Sequence, residues 1–147
     1  MIRSRANIAL LLSVILVCGA AGAASTHRKR DLIRILQQQG FSGALTGDIH
    51  FTPLGTLHCR SRDLQAIYFE WYGPAQPSSH RAHYRVLLLD DRDRYLGSYV
   101  VQGRPKSVGR GSIVLDHYDA PVRIPCDQIV LGETVELPDG GELKLER

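Results

Sequence analysis

Residues 81–101 have the sequence RAHYRVLLLDDRDRYLGSYVV, in which two apolar runs flank the polar cluster DDRD. Such a pattern predicts an antiparallel hairpin. A four-residue loop at 90–93 pairs Leu89 with Arg94, whereas a three-residue loop shifts the pairing by one and places Leu88 opposite Leu96. We expect the four-residue loop, because the three-residue loop needs a left-handed residue and no glycine stands at that position.

Side chains alternate between the two faces of this expected hairpin. One face is almost entirely apolar or aromatic and consists of Ala82, Tyr84, Val86, Leu88, Tyr95, Gly97, Tyr99 and Val101. The other face is mixed, as is typical of a partly wetted surface, and consists of His83, Arg85, Leu87, Arg94, Leu96 and Ser98. The hairpin is therefore the expected structural centre of the chain, and it carries no catalytic motif.

Residues 1–24 have the pattern of a secretory signal peptide. Arg3 and Arg5 precede an apolar run at 8–17, and small residues follow at 21–24. We expect cleavage after Ala23 or Ala24 and a mature protein in the periplasm or outside the cell, with no stable membrane span. An uncleaved membrane anchor is the alternative, although the charge-free segment is only about 17 residues long, the lower limit for a span.

Cleavage would remove two basic residues and lower the formal net charge from +3 to about +1. A net charge so close to zero gives no reason to expect a nucleic-acid partner, and export of the protein argues further against one. The strong excess of arginine over lysine indicates a GC-rich bacterial source. The remaining residues are sufficient for one domain with a single core.

Cys59 and Cys126 are the two cysteines of the expected mature chain. An isolated pair in an exported protein predicts a disulfide. On the chain-entropy model, closing so long a loop stabilises the fold by about 4 kcal/mol. Neither residue belongs to a C-x-x-C pair, which argues against a metal site or a reactive thiol.

Residues 25–40 are predicted to form a helix, since Leu32, Ile33, Ile35 and Leu36 recur at helical spacing and Gly40 follows as a stop signal. Beyond Phe41 the period changes to two, so 41–147 is expected to be one β-rich domain. Besides the central hairpin, we expect strands at 48–51, 55–62, 64–72, 112–118, 122–126 and 129–131, and a final hairpin around the turn at 138–141. The predicted fold is mainly β, with the helix covering one end or face of an antiparallel meander that forms a small partial barrel or sandwich.

Some residues invite a catalytic interpretation. His80 and His83 have a spacing seen in metal sites, His117 lies between two aspartates, and Glu70 lies between two tyrosines of a predicted strand. A zinc site needs three or four converging ligands, and no nucleophile motif of the G-x-S-x-G type is present. We therefore expect neither a metal nor a cofactor. A small envelope hydrolase or metal-dependent enzyme using these residues is the alternative function.

Binding is the preferred function. Tyr68, Glu70 and Tyr72 share one face of the strand predicted at 64–72, and the glycine-rich loop at 102–111 carries three basic residues, which are Arg104, Lys106 and Arg110. Aromatic and arginine side chains dominate the energetics of interfaces. The sequence thus predicts a non-catalytic binding or inhibitor-like module that recognises an envelope protein or a glycan. This hypothesis requires the two groups to be exposed and to lie near each other, which depends on the strand order.

Overall fold

The computed structural model describes residues 20–73 and 82–147, and of residues 20–27 and 82 it describes only the backbone. The chain divides into two units, Met1–Leu32 and Ile33–Arg147. Helix α1, Ala20–Gln38, is the described part of the first unit and continues into the second. It begins before the predicted start at residue 25, while most of the predicted signal peptide lies outside the described residues. Within the described ranges, no helix has the length and apolar character needed to cross a membrane.

Three antiparallel sheets make up most of the second unit. The main sheet has the order β1-β2-β3-β4 and consists of β1 (Asp48–His58), β2 (Asp63–Tyr72), β3 (Ala82–Leu89) and β4 (Tyr95–Val101). A second sheet consists of β5 (Ser107–Val108), β6 (Ser112–Leu115) and β7 (Val122–Pro125), after which a short 3-10 helix covers Cys126–Gln128. A final hairpin joins β8 (Thr134–Glu136) to β9 (Glu142–Lys144). The predicted fold class is confirmed, and the sheets do not close into a barrel.

The central hairpin has a three-residue loop, so the predicted four-residue loop is wrong. Leu89 pairs with Tyr95, and the Asp90 backbone N–H donates to the Arg94 carbonyl at 3.0 Å. Asp93 occupies the left-handed position with a φ of 57°. The expectation failed because it required glycine there, whereas a single aspartate also adopts this conformation.

A bulge beside this loop shifts the pairing again, so that Leu88 lies opposite Gly97. Leu96 is the extra residue, and it packs against the core instead of the opposite face. Tyr95 takes the opposite face, where its hydroxyl donates to Ser98 Oγ at 3.0 Å. Tyr95 and Leu96 have therefore exchanged the faces predicted for them.

Strand β1 replaces the two separate strands predicted at 48–51 and 55–62. Its pairing with β2 shifts between Pro53 and Gly55, and Gly55 has a φ of 124°. Pro53 is tolerated because β1 lies at the edge of the main sheet, where one side of the strand needs no ladder donor. The strand predicted at 129–131 is also absent, since Ile129 is buried directly after the 3-10 helix while Val130 and Leu131 are exposed.

The two faces of the main sheet are both covered over much of their area. One face contributes to the hydrophobic core together with the smaller sheets, and its fully buried members include Leu57, Leu88, Tyr99, Ile113 and Ile124. The other face buries Phe69 beneath the segment that follows α1, where the Phe41 ring lies 5.4 Å from the Phe69 ring. Arg85 was predicted to lie on a partly wetted face. In the structure its guanidinium lies 5.5 Å from the centre of the Phe41 ring on this second face.

Cys59 and Cys126 form the predicted disulfide, with an S–S distance of 2.08 Å and a Cα–Cα distance of 5.7 Å. This bond joins the turn between β1 and β2 to the start of the 3-10 helix. A structural disulfide fits a protein that matures in an oxidising compartment.

Candidate functional site

The beginning of β1 and the end of β2 form one end of the main sheet. Antiparallel pairing places Asp48 opposite Tyr72, and places Glu70 between His50 and Tyr84. Side chains of directly opposed residues lie on the same face of a sheet. We call this surface the tyrosine end, and it comprises Asp48, His50, Tyr68, Glu70, Tyr72, Tyr84 and the nearby Arg104.

Four of these side chains are joined by direct contacts. The Tyr72 hydroxyl donates a hydrogen bond to Glu70 Oε1 at 3.2 Å, and the His50 ring lies 6.0 Å from the Tyr72 ring in an edge-to-face arrangement. His50 Nε2 lies 2.9 Å from Asp48 Oδ1. Tyr72 is 39% exposed, and the side chains of His50 and Asp48 are 55% and 67% exposed. The tyrosine end therefore presents one aromatic ring bordered by polar groups.

Tyr68, which the binding hypothesis requires to be exposed, is instead buried in the hydrophobic core beneath this surface. It is 5% exposed, and its ring stacks on Tyr84 with the ring centres 5.9 Å apart. Burial and the negative charge of Glu70 raise the pKa of Tyr68 to about 12, although Arg104 acts in the opposite direction. The charge of Glu70 is also the main cause of a raised pKa at Tyr72. Both phenols thus remain protonated at neutral pH.

The predicted basic residues do not all lie together. Arg104 is near enough to Tyr68 to affect its pKa, and the Arg104 carbonyl contacts His117 Nε2. The Lys106 side chain is exposed just before β5, and its backbone N–H donates to the Val114 carbonyl at 2.8 Å. Arg110 forms a parallel bridge with His58, at the other end of β1.

The distance along β1 separates the two ends of the main sheet. Tyr68 lies opposite Thr52, and the strand from Thr52 to His58 extends over about 20 Å. The structure therefore groups Tyr68, Glu70 and Tyr72 with Arg104, whereas it places Arg110 elsewhere.

The residues of the alternative enzyme hypothesis do not all lie together, although His117 contacts the carbonyl of Arg104 beside the tyrosine end. His80 lies outside the described residues. His83 is opposite Trp71, with ring centres 5.0 Å apart, and therefore lies on the other face of the sheet from Glu70. Residues 20–73 and 82–147 contain no group of three or more His, Cys, Asp or Glu side chains arranged to hold a metal ion.

Sequence reasoning did not identify Asp48, His50 or Tyr84 as members of this site. Only the strand pairing brings them beside Glu70 and Tyr72. No known family model, curated protein or solved structure shows significant similarity to this chain.

Proposed function

We propose that this chain is an exported, non-catalytic binding module that recognises a glycan through the tyrosine end. The observation that carries the proposal is the half-exposed Tyr72 ring bordered on one face by Asp48, His50 and Glu70. Of the partners expected from sequence, a glycan suits this surface better than a protein does.

The chemistry of the surface is the reason for this preference. Sugar rings present apolar C–H faces, which pack on an aromatic ring, and hydroxyl groups, which donate to carboxylates. Glu70 and Asp48 supply such acceptors beside Tyr72, while the Arg104 guanidinium supplies donors. A protein partner would favour several large aromatic anchors, and among the described residues Tyr72 is the one large hydrophobic side chain exposed on this face of the sheet.

Export rests on the signal-peptide pattern at 1–24 and on the disulfide. We expect the mature chain to begin at Ala24 or Ser25 in the periplasm or the medium. Intact-mass measurement of the protein recovered from those fractions tests this directly, since a mass that includes residue 1 contradicts cleavage.

Binding is tested with the disulfide-intact protein on an array of bacterial envelope polysaccharides and oligosaccharides. We expect Tyr72→Ala and Glu70→Gln each to weaken capture of the best-bound glycan by about 1 to 2 kcal/mol, the usual cost of removing an important contact. Thermal unfolding should change little, because both side chains are partly or fully exposed at the end of a strand.

Arg104→Ala and Arg110→Ala form a matched pair for the same array. Arg104 adjoins the tyrosine end and Arg110 does not, so only Arg104→Ala should weaken capture. Equal losses in both variants would indicate a nonspecific charge effect. Failure of the wild-type protein to bind any glycan would refute the proposal.

A further inference from the structure

A groove of about 610 Å³ lies at the end of the main sheet opposite the tyrosine end. Its walls are the turn between β1 and β2, which carries Arg60 and Arg62, and the segment from Pro125 to Val130. The disulfide joins the two walls, so both half-cystine residues line the groove. We call it the disulfide groove. Its volume is within the range of small-ligand sites, so it accepts a few residues of an extended chain but not a folded domain.

Backbone hydrogen bonds hold the walls of the groove in place. The Gly111 N–H donates to the His58 carbonyl at 3.0 Å, and the Cys126 N–H donates to the Gly111 carbonyl at 2.9 Å. The Cys59 N–H donates to the Arg62 carbonyl at 3.0 Å and closes the turn. With the disulfide, these bonds fix the groove before any ligand arrives, which lowers the entropic cost of binding.

Two arginines and one aspartate line this groove, and a third arginine lies beside it, so its charge is positive on balance. Arg60 and Arg62 belong to its wall, and Arg110 precedes Gly111, which also lines it. Within the described ranges, the guanidinium groups of Arg60 and Arg110 make no ion pair. Arg62 uses one nitrogen to donate to the Ile129 carbonyl at 3.3 Å. Asp127 is the acidic side chain in the lining, while the neighbouring Asp63 contacts His58.

The groove also has an apolar side. Ile129 is buried in its wall, Val130 is 45% exposed at its edge, and the adjacent Leu131 is 47% exposed. Among the residues that the structure describes, none in the lining is aromatic. A sugar chain would lack the stacking surface that it finds at the tyrosine end, whereas a peptide supplies carboxylates and aliphatic side chains at alternate positions.

We propose that the disulfide groove binds an extended acidic peptide segment of a partner protein, in which carboxylate and aliphatic side chains alternate. The carboxylates pair with Arg60 in the lining and with Arg110 beside it, and the aliphatic side chains pack on Val130 in the lining and on the adjacent Leu131. The groove lies apart from the tyrosine end and takes a different ligand. Separate measurements therefore test the two proposed sites.

Fluorescence anisotropy at low salt tests the groove with the fluorescein-labelled peptide GDLDLDG and the full mature protein. We expect saturable binding that weakens as salt is added, because solvent-facing ion pairs are screened. The peptide GNLNLNG removes the negative charges and GDSDSDG removes the aliphatic side chains, so each should bind about tenfold more weakly.

Protein variants locate the binding. The double variant Arg60→Gln/Arg110→Gln should lower the affinity for GDLDLDG by about tenfold, and Leu131→Ser by a smaller factor. Arg104→Gln is the matched control, since it removes an exposed arginine at the opposite end and should leave peptide affinity unchanged. Thermal unfolding and a non-reducing intact mass verify that each variant is folded and that the disulfide is present.

The competing ligands are an oligouronate chain and vesicles that contain phosphatidylglycerol. Tighter binding of either one than of GDLDLDG, with the same loss in the double variant, would replace the peptide by that ligand and overturn the proposal. Equal binding of GDLDLDG and GNLNLNG, unchanged peptide affinity in the double variant, or no peptide binding would overturn it as well.

Discussion

At the scale of single residues, Asp90 organises the hairpin turn. Its carboxylate accepts from the backbone N–H groups of Arg92 and Arg94 at 2.9 Å each, and the Arg94 guanidinium also contacts it. Burial alone would raise the pKa of this carboxyl, but the two backbone hydrogen bonds and the Arg94 side chain together lower it. The charged form of Asp90 is therefore the form that stabilises the fold.

Replacing Asp90 by alanine should lower the free energy of unfolding by about 1 to 2 kcal/mol at neutral pH, because two backbone N–H groups and the Arg94 guanidinium lose their acceptor. Since the folded-state pKa is depressed, the stabilisation is complete above the pKa of an unfolded aspartate and is lost as the pH falls through the folded-state value. The difference between wild type and Asp90→Ala should therefore shrink in acid. Urea unfolding at a series of pH values measures it.

Asp91→Ala provides the control for this experiment. Asp91 is exposed in the same turn, so its replacement should have little effect at any pH. A difference between wild type and Asp90→Ala that stays constant into acid would contradict the role assigned to the Asp90 charge.

At the scale of secondary-structure elements, the register shifts in β1 and β4 determine which side chains are in contact. The bulge in β4 places Gly97 against residues 145–146. A Cβ added to Gly97 would lie 2.9 Å from Leu145 Cγ and 3.0 Å from the Glu146 carbonyl oxygen. Ser98 and Glu146 exchange backbone hydrogen bonds at 2.6 Å and 3.0 Å. Residues 145–146 therefore cover this part of β4, and the glycine makes that close approach possible.

Gly97→Ala should destabilise the protein by about 2 kcal/mol or more, because the new methyl group clashes with backbone and its φ of 154° is unfavourable for alanine. Gly109→Ala is the matched control, since the corresponding Cβ would meet no atom within 4 Å. Chemical denaturation compares the two variants. Similar stabilities for both would show that residues 145–146 do not pack on Gly97 as described.

Sequence periodicity predicted much of the sheet but could not locate the bulges. The alternation in β2 correctly separates Ile67 and Phe69 from Tyr68 and Glu70, because side-chain direction depends only on the period of two. In β4 the same rule fails at Tyr95 and Leu96. No local pattern marks an inserted residue, since the bulge is fixed by packing against Ser98 and the end of the chain.

The same limitation explains the incomplete prediction of the tyrosine end. A hairpin extended from the pair His58 and Asp63 without interruption would place His50 opposite Trp71. The shift between Pro53 and Gly55 instead places His50 opposite Glu70. Tyr68, Glu70 and Tyr72 were grouped correctly because they belong to one strand. Their neighbours on β1 and β3 depend on register, which the sequence did not determine.

At the scale of the whole molecule, the disulfide is the largest single constraint on the unfolded chain. Its residues are 67 positions apart. Replacing both cysteines, as Cys59→Ser/Cys126→Ser, should lower the free energy of unfolding by about 4 kcal/mol on the chain-entropy model. Urea unfolding of this variant, compared with wild type in the presence and absence of a reductant, measures the loss.

The reductant distinguishes the crosslink from the side chains. Reduced wild type should unfold at nearly the same urea concentration as the double variant. If the double variant is as stable as the oxidised wild type, the disulfide does not contribute the expected stabilisation.

The position of the disulfide also determines how the folded chain would bear mechanical load. A force that pulls residues 33 and 147 apart can extend only the segments outside the crosslinked loop, even after every sheet has come apart. Because the crosslinked loop spans 67 residues, about 240 Å of contour length could not be extended by the force. Reduction would therefore increase the fully extended distance between residues 33 and 147 only about twofold.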